Sequence, residues 1–169
     1  QILKMQFSIF DNPLNTWKGS SLVVGVFEED IFQSLEKIGF ILNTKLISEK
    51  ITSKNFKGGK GQSLSFDFLD EKLNSFTLIG LGEKSCINKD SLRNYLSDFA
   101  RKILDKEHKI SIILPWEQLD KDSLNIAFEA IRLSTFKDNR FNNKKDEKSK
   151  LQEVEFIVDE KFSGISFRE

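Results

Sequence analysis

Apolar and polar positions alternate with two different periods along this chain, and the switches between them mark its elements. Leu22-Val23-Val24-Gly25-Val26-Phe27 is apolar on both alternating faces, which predicts a strand covered on two sides. Phe7-Ser8-Ile9-Phe10 predicts a shorter strand, closed by Asp11-Asn12-Pro13. Ile31, Leu35, Ile38 and Leu42 recur at helical spacing behind Asp30, a residue suited to N-capping, and a short helix is expected from Thr44 to Ile51. Ser63 to Leu69 alternates strictly, as a strand with one buried face does. A turn over Asp70 to Asn74 then leads into Phe76-Thr77-Leu78-Ile79, so these two strands are expected to be antiparallel neighbours in a mixed sheet.

The stretch from Phe76 through Gly80-Leu81-Gly82 to Lys84 reads as strand, glycine turn and the approach to a helix. Asn88 can cap that helix, Asp90 suits its first turn, and Leu92, Tyr95, Leu96, Phe99, Ala100, Ile103 and Leu104 form one broad apolar stripe. Ile110-Ser111-Ile112-Ile113-Leu114 is the next strand, stopped by Pro115. Asp122 can cap a helix carrying Leu124, Ala127, Phe128 and Ile131. Asp138 to Lys150 reads as an exposed charged loop, and Val154 to Val158 as a late strand, after which the pattern fades. The order β-β-α-β-β-α-β-α-β predicts an α/β protein: one three-layer α/β/α domain with a mixed sheet over residues 5–158, and a tail over 159–169.

Charge narrows the function classes. Lys plus Arg and Asp plus Glu each number 26, so the 169-residue chain is formally neutral. That argues against a general nucleic-acid or membrane-surface binder, which carries a basic excess. The single cysteine, Cys86, has no internal partner, and no signal-peptide or membrane-spanning pattern is present, which favours a reducing, cytoplasmic compartment. Met5 reads as a natural start, with residues 1–4 upstream of it.

Candidate chemistry is sparse. Gly80-Leu81-Gly82 invites a phosphate-loop reading, but a dinucleotide fingerprint needs a third glycine. Lys57-Gly58-Gly59-Lys60-Gly61 is basic and glycine-rich without the Gly-Lys-Ser/Thr ending that seats a nucleotide. His108 and Cys86 are the sole imidazole and thiol, too few for the usual zinc ligand set. Glu28-Glu29-Asp30 reads as a solvated loop and helix start rather than a metal site, and Trp17 and Trp116 as edge-of-core anchors or interface residues rather than a base-stacking pair. No catalytic, cofactor-binding or metal-ligating residue is assigned to any position.

Five segments nonetheless follow one known pattern in order. They are Leu22 to Glu28, Asn55 to Gly61, Thr77 to Lys84, Asp90 to Arg93, and Ala127 to Phe141. Together they resemble the N-terminal domain of cytosolic leucyl aminopeptidases, a macro-domain-like fold, with departures at Thr135, where an aromatic is usual, and at Cys86-Ile87, a more polar place in the family. The resemblance implies a parent that hydrolyses the N-terminal residues of peptides with two divalent metals (zinc, manganese or magnesium) in a following catalytic domain. The signature of that domain does not occur in these residues, and residues 159–169 would begin the linker to it. The resemblance further implies a cytoplasmic homohexamer in which this domain serves assembly and scaffolding, with its own catalytic domain and sister copies as partners. The alternative is a free-standing macro-type module that binds ADP-ribose or a related nucleotide; a nucleic-acid role is disfavoured by the neutral charge.

Overall fold

In the computed structural model, the structure describes residues 5–39, 41–67, 73–103, 106–141 and 150–158, with the backbone alone for 136–141. Six strands, β1 (Gln6–Phe10), β2 (Ser21–Val26), β3 (Ser63–Asp67), β4 (Ser75–Gly80), β5 (Lys109–Ile113) and β6 (Glu153–Ile157), form one sheet in the order β1-β6-β5-β2-β4-β3. Neighbours run parallel throughout except β3, which pairs antiparallel with β4 at the edge. The mixed sheet and the antiparallel pair are those the hydrophobic pattern predicts. The apolar run of β2 is buried at every position because the strand is central, between β4 and β5, and is covered on both faces.

Helices α3 (Lys89–Ile103) and α4 (Ser123–Phe141) pack together on one face of the sheet. Their stripes, with Leu96, Phe99, Ala127 and Ile131, close over Val23, Ile112, Val154 and Phe156. On the opposite face, Leu22, Val24, Val26, Phe66, Phe76 and Leu78 meet α1 (Ile31–Glu36) and α2 (Thr44–Ser53). Each fully buried Leu, Ile or Phe side chain contributes about 1.5–3 kcal/mol relative to exposure, so the two apolar clusters carry the fold. The result is the expected α/β/α layering, with the two helices expected between β2 and β3 both present.

Local chemistry sets the ends of the helices. Asn88 caps α3 reciprocally with Ser91: Asn88 Oδ1 accepts from the Ser91 N–H at 2.9 Å, and Ser91 Oγ accepts from the Asn88 N–H at 3.0 Å. The periodicity of Ile31, Leu35, Ile38 and Leu42 predicts one helix, but α1 ends at Glu36. The chain then tightens through bonds from the Ile38 N–H to Leu35 O and from the Gly39 N–H to Glu36 O, until Asn43 caps α2 through the Leu46 N–H. Ile38 and Leu42 are buried all the same, because the turn delivers them to the face the helix would have used.

Asp30 makes no capping bond, so that expectation is corrected as well; its carboxylate is drawn to Lys84. Asp122 stands at the N-cap position of α4, its carbonyl accepting the Ile126 N–H at 3.0 Å, while its carboxylate meets Lys89 Nζ at 3.3 Å. Residues 138–141, expected in the charged loop, continue α4, and the loop's 142–149 lie outside the described residues, as do Leu104, Phe68, Leu69 and the turn at 70–72.

Among the described residues, one half of the sheet lacks a helical cover. On the α1/α2 face, Lys50 of α2 lies over the Phe66 ring of β3, placing the helices toward that edge. Over β5 and β6 the cover is the segment around Leu14 to Trp17, whose indole N–H reaches Ser111 Oγ at 3.2 Å and Glu155 Oε1 at 3.1 Å. Between this segment and α1 a crevice remains.

Candidate functional site

The two glycine-rich segments that look like separate phosphate loops are one junction. Gly80 donates its N–H to Gln62 O at 2.7 Å, Leu81 to Val26 O at 2.9 Å and Gly82 to Gly58 O at 2.9 Å. All three amides that a phosphate cradle would need are therefore committed to carbonyls. The Lys57–Gly61 loop is folded on itself, with the Lys57 and Gly59 N–H groups both donating to Gln62 Oε1, at 3.0 and 3.2 Å.

Two glycines are required here for different reasons. Gly82 has φ of +78°, in the left-handed region. A Cβ on Gly80 would lie 2.1 Å from Gly59 O and 2.5 Å from Gly58 C, inside the neighbouring backbone. The Lys60 side chain lies along Gly82, where its Cγ would sit 2.9 Å from an added Cβ.

The acidic run beside this junction is a clamp. Glu29 accepts the Lys84 N–H with both carboxylate oxygens, at 3.0 and 3.3 Å, while Asp30 pairs with the Lys84 ammonium. The hydrogen bond from Lys84 holds the Asp30 carboxyl below its usual range, against a smaller opposing effect of burial. Among the described residues no group of three or more His, Cys, Asp or Glu side chains is arranged to hold a metal ion. His108 is exposed and contributes its carbonyl to the N–H groups of Gln152 and Glu153. Cys86 is exposed and free, its Sγ 3.7 Å from Glu83 Oε2. Trp116 donates its indole N–H to Ile157 O at 2.7 Å, in the core opposite that of Trp17. Both tryptophans are anchors within the fold.

The feature that sequence reasoning missed is the crevice. It opens at the carboxyl ends of β2, β5, β6 and β1, with a volume of about 520 Å³. The chain leaves β2 toward α1 on one face and β5 toward α4 on the other, so the crevice stands where the connections diverge, the usual place for ligands on open α/β sheets. Val24, Ile113 and Ile157 form its floor, Leu14 and Ile38 its walls, and Asp11, Ser34, Lys37 and Glu117 its polar rim. Lys37 Nζ and Glu117 Oε1 are 2.8 Å apart. Partial burial, the largest single effect, pushes the Glu117 carboxyl up, but the hydrogen bond from Lys37, a hydrogen bond to its own backbone and the Lys37 charge together outweigh it and leave the group below its usual range. The sequence signals at these positions, Asp11-Asn12-Pro13 and Pro115, mark turns, and nothing in them shows that the turns face a common space.

Residues 23–145 match the family model described as the cytosol aminopeptidase family, N-terminal domain. The chain belongs to the cytosol aminopeptidase family. A probable cytosol aminopeptidase of Prochlorococcus marinus subsp. pastoris is 50% identical over 98% of this chain and 34% of its own length. The chain of this cytosol aminopeptidase family member thus spans about one third of that relative. A mutant of tomato leucine aminopeptidase has the same fold, with a TM-score of 0.73 and 21% identity over 94% of this chain and 33% of its own. The bottromycin maturation enzyme BotP in complex with Mn is more distant, with a TM-score of 0.55 and 12% identity over 82% of this chain and 26% of its own.

Proposed function

We propose that this chain is the non-catalytic N-terminal domain of a metal-dependent leucyl aminopeptidase and serves assembly and scaffolding in its parent. The observation that carries the reading is the extent of the match: the family's N-terminal model, and about one third of the relative's length. In this reading residues 5–158 form the domain and 159–169 begin the connection to a catalytic domain. That domain binds two divalent ions (zinc, manganese or magnesium), which activate a water for attack on the first peptide bond of a substrate. The described residues do not fit such a centre, so no step of the hydrolysis is assigned to them. The parent works in the cytoplasm as a homohexamer, with this domain bridging copies. The name of the family supports the compartment, and no helix among the described residues is long and apolar enough to cross a membrane.

The decisive experiment compares the 169-residue chain with the same chain extended through its reading frame. The extended protein is expected to cleave a leucine chromogenic substrate with added manganese and to sediment as a hexamer. An extended protein that remains monomeric at full activity would remove the assembly role.

A further inference from the structure

The crevice joins two kinds of chemistry that sit together in few ligands. Its floor is aliphatic, built from Val24, Ile113 and Ile157. Its mouth is spanned by one ammonium and one carboxylate from opposite walls, Lys37 on the α1 side and Glu117 on the turn after β5, 2.8 Å apart. Their side chains are 65% and 44% exposed. An ion pair that open to water contributes little to stability, so parting it to admit a ligand costs little.

The rim decides among ligand classes. Among the described residues, a phosphorylated ligand meets a single ammonium already matched by Glu117, with the Asp11 carboxylate nearby. A wholly apolar ligand would leave both charges unused. A small zwitterion with an aliphatic side chain satisfies floor and rim together.

We propose that the crevice binds a free aliphatic α-amino acid, its carboxylate on Lys37, its ammonium on Glu117 and its side chain against Val24, Ile113 and Ile157. Charge-assisted hydrogen bonds at both ends orient it, and the aliphatic floor sets the preference for an apolar side chain. The volume of about 520 Å³ also admits a dipeptide, which carries the same two charges farther apart. The inference rests on the crevice alone and holds whatever the role of the domain in its parent.

Methyl NMR spectra of the 169-residue chain, titrated with L-leucine, with L-leucyl-L-leucine and with uncharged N-acetyl-L-leucine amide, test it. The expected result is a saturable shift of the Val24, Ile113 and Ile157 methyls by L-leucine, with Kd of about 1 mM or below. The uncharged analogue should bind at least about tenfold more weakly, as should L-leucine to Lys37→Met and to Glu117→Gln. Tighter binding of the dipeptide than of leucine would replace the amino acid by a peptide end and overturn the proposal as stated. So would shifts that map elsewhere, no saturation at about ten times that concentration, or equal binding of the uncharged analogue. Both variants alter exposed side chains and should melt as wild type does; if one does not, the analogue comparison on the unaltered chain decides alone.

Discussion

At the scale of single residues, the glycine junction separates two reasons for having no side chain. Gly82 needs a left-handed backbone, so Gly82→Ala should destabilise the fold by about 1–2 kcal/mol, while the flexible Lys60 chain moves aside. Gly80 needs empty space: its added Cβ would enter the Gly58-Gly59 backbone, which has nowhere to go. Gly80→Ala is therefore expected to be the more damaging of the two in thermal melts; the reverse order would show that the two segments are not packed as described. Because the Gly80, Leu81 and Gly82 amides are already bonded, ADP-ribose should leave the melting temperature of the wild-type chain unchanged, and a saturable rise would reopen the nucleotide reading. Asp30 gives a test in pH. Its carboxyl, ordinarily near 3.8, is lowered in the folded state by Lys84. The stability it contributes is fully present above that ordinary value and lost as pH falls through the lower folded one. Asp30→Asn should flatten the acid limb of a stability-versus-pH curve below about pH 4 and leave its shape at neutral pH alone. The sequence marks Asp30 as a cap because capping is a local preference; the pull of Lys84, which arrives on the segment after the neighbouring strand β4, has no local trace.

Among the elements, what local periodicity controls is what could be read in advance. β2, the β3–β4 pair and α3 with its Asn88 cap all follow from spacing and short-range chemistry. The end of α1 at Glu36 does not, because the buried positions keep their helical spacing through a turn that is not helical. Strand order and the crevice were equally invisible, since both depend on which connection crosses which face. The two apolar clusters permit a paired test of the layers. Leu78 and Leu96 are each fully buried, the first under α1 and α2, the second between α3 and the opposite face. Leu78→Asp and Leu96→Asp should each abolish cooperative unfolding, because an unpaired carboxylate buried in either cluster costs more than the few kcal/mol a domain can lose. Dichroism and thermal melting check this; a variant melting within a few degrees of wild type would mean that its layer does not carry the fold.

For the whole molecule, the family and the chemistry divide the parent unevenly. The match to the N-terminal domain model and to about one third of the relative's length places the chain in the family, while the described residues hold no arrangement able to bind the metals that family hydrolysis requires. The 169-residue chain alone should therefore show no manganese-dependent cleavage of a leucine chromogenic substrate. The physical ground is that activating a water needs several converging N, O or S donors. Here the acidic side chains best placed to supply them are engaged elsewhere: Glu29 and Asp30 on Lys84, Glu117 on Lys37, and Glu155 on Trp17 and Ser111. Freeing any one of them would leave a single carboxylate, not a centre. Turnover that persists after repurification through a chelator, returns in proportion to added metal and vanishes when Glu29 and Asp30 are both replaced by Gln and Asn would place a metal centre in this domain. If the activity is instead unaffected by that replacement and removed by an additional chromatographic step, a co-purifying peptidase accounts for it and the scaffold reading stands.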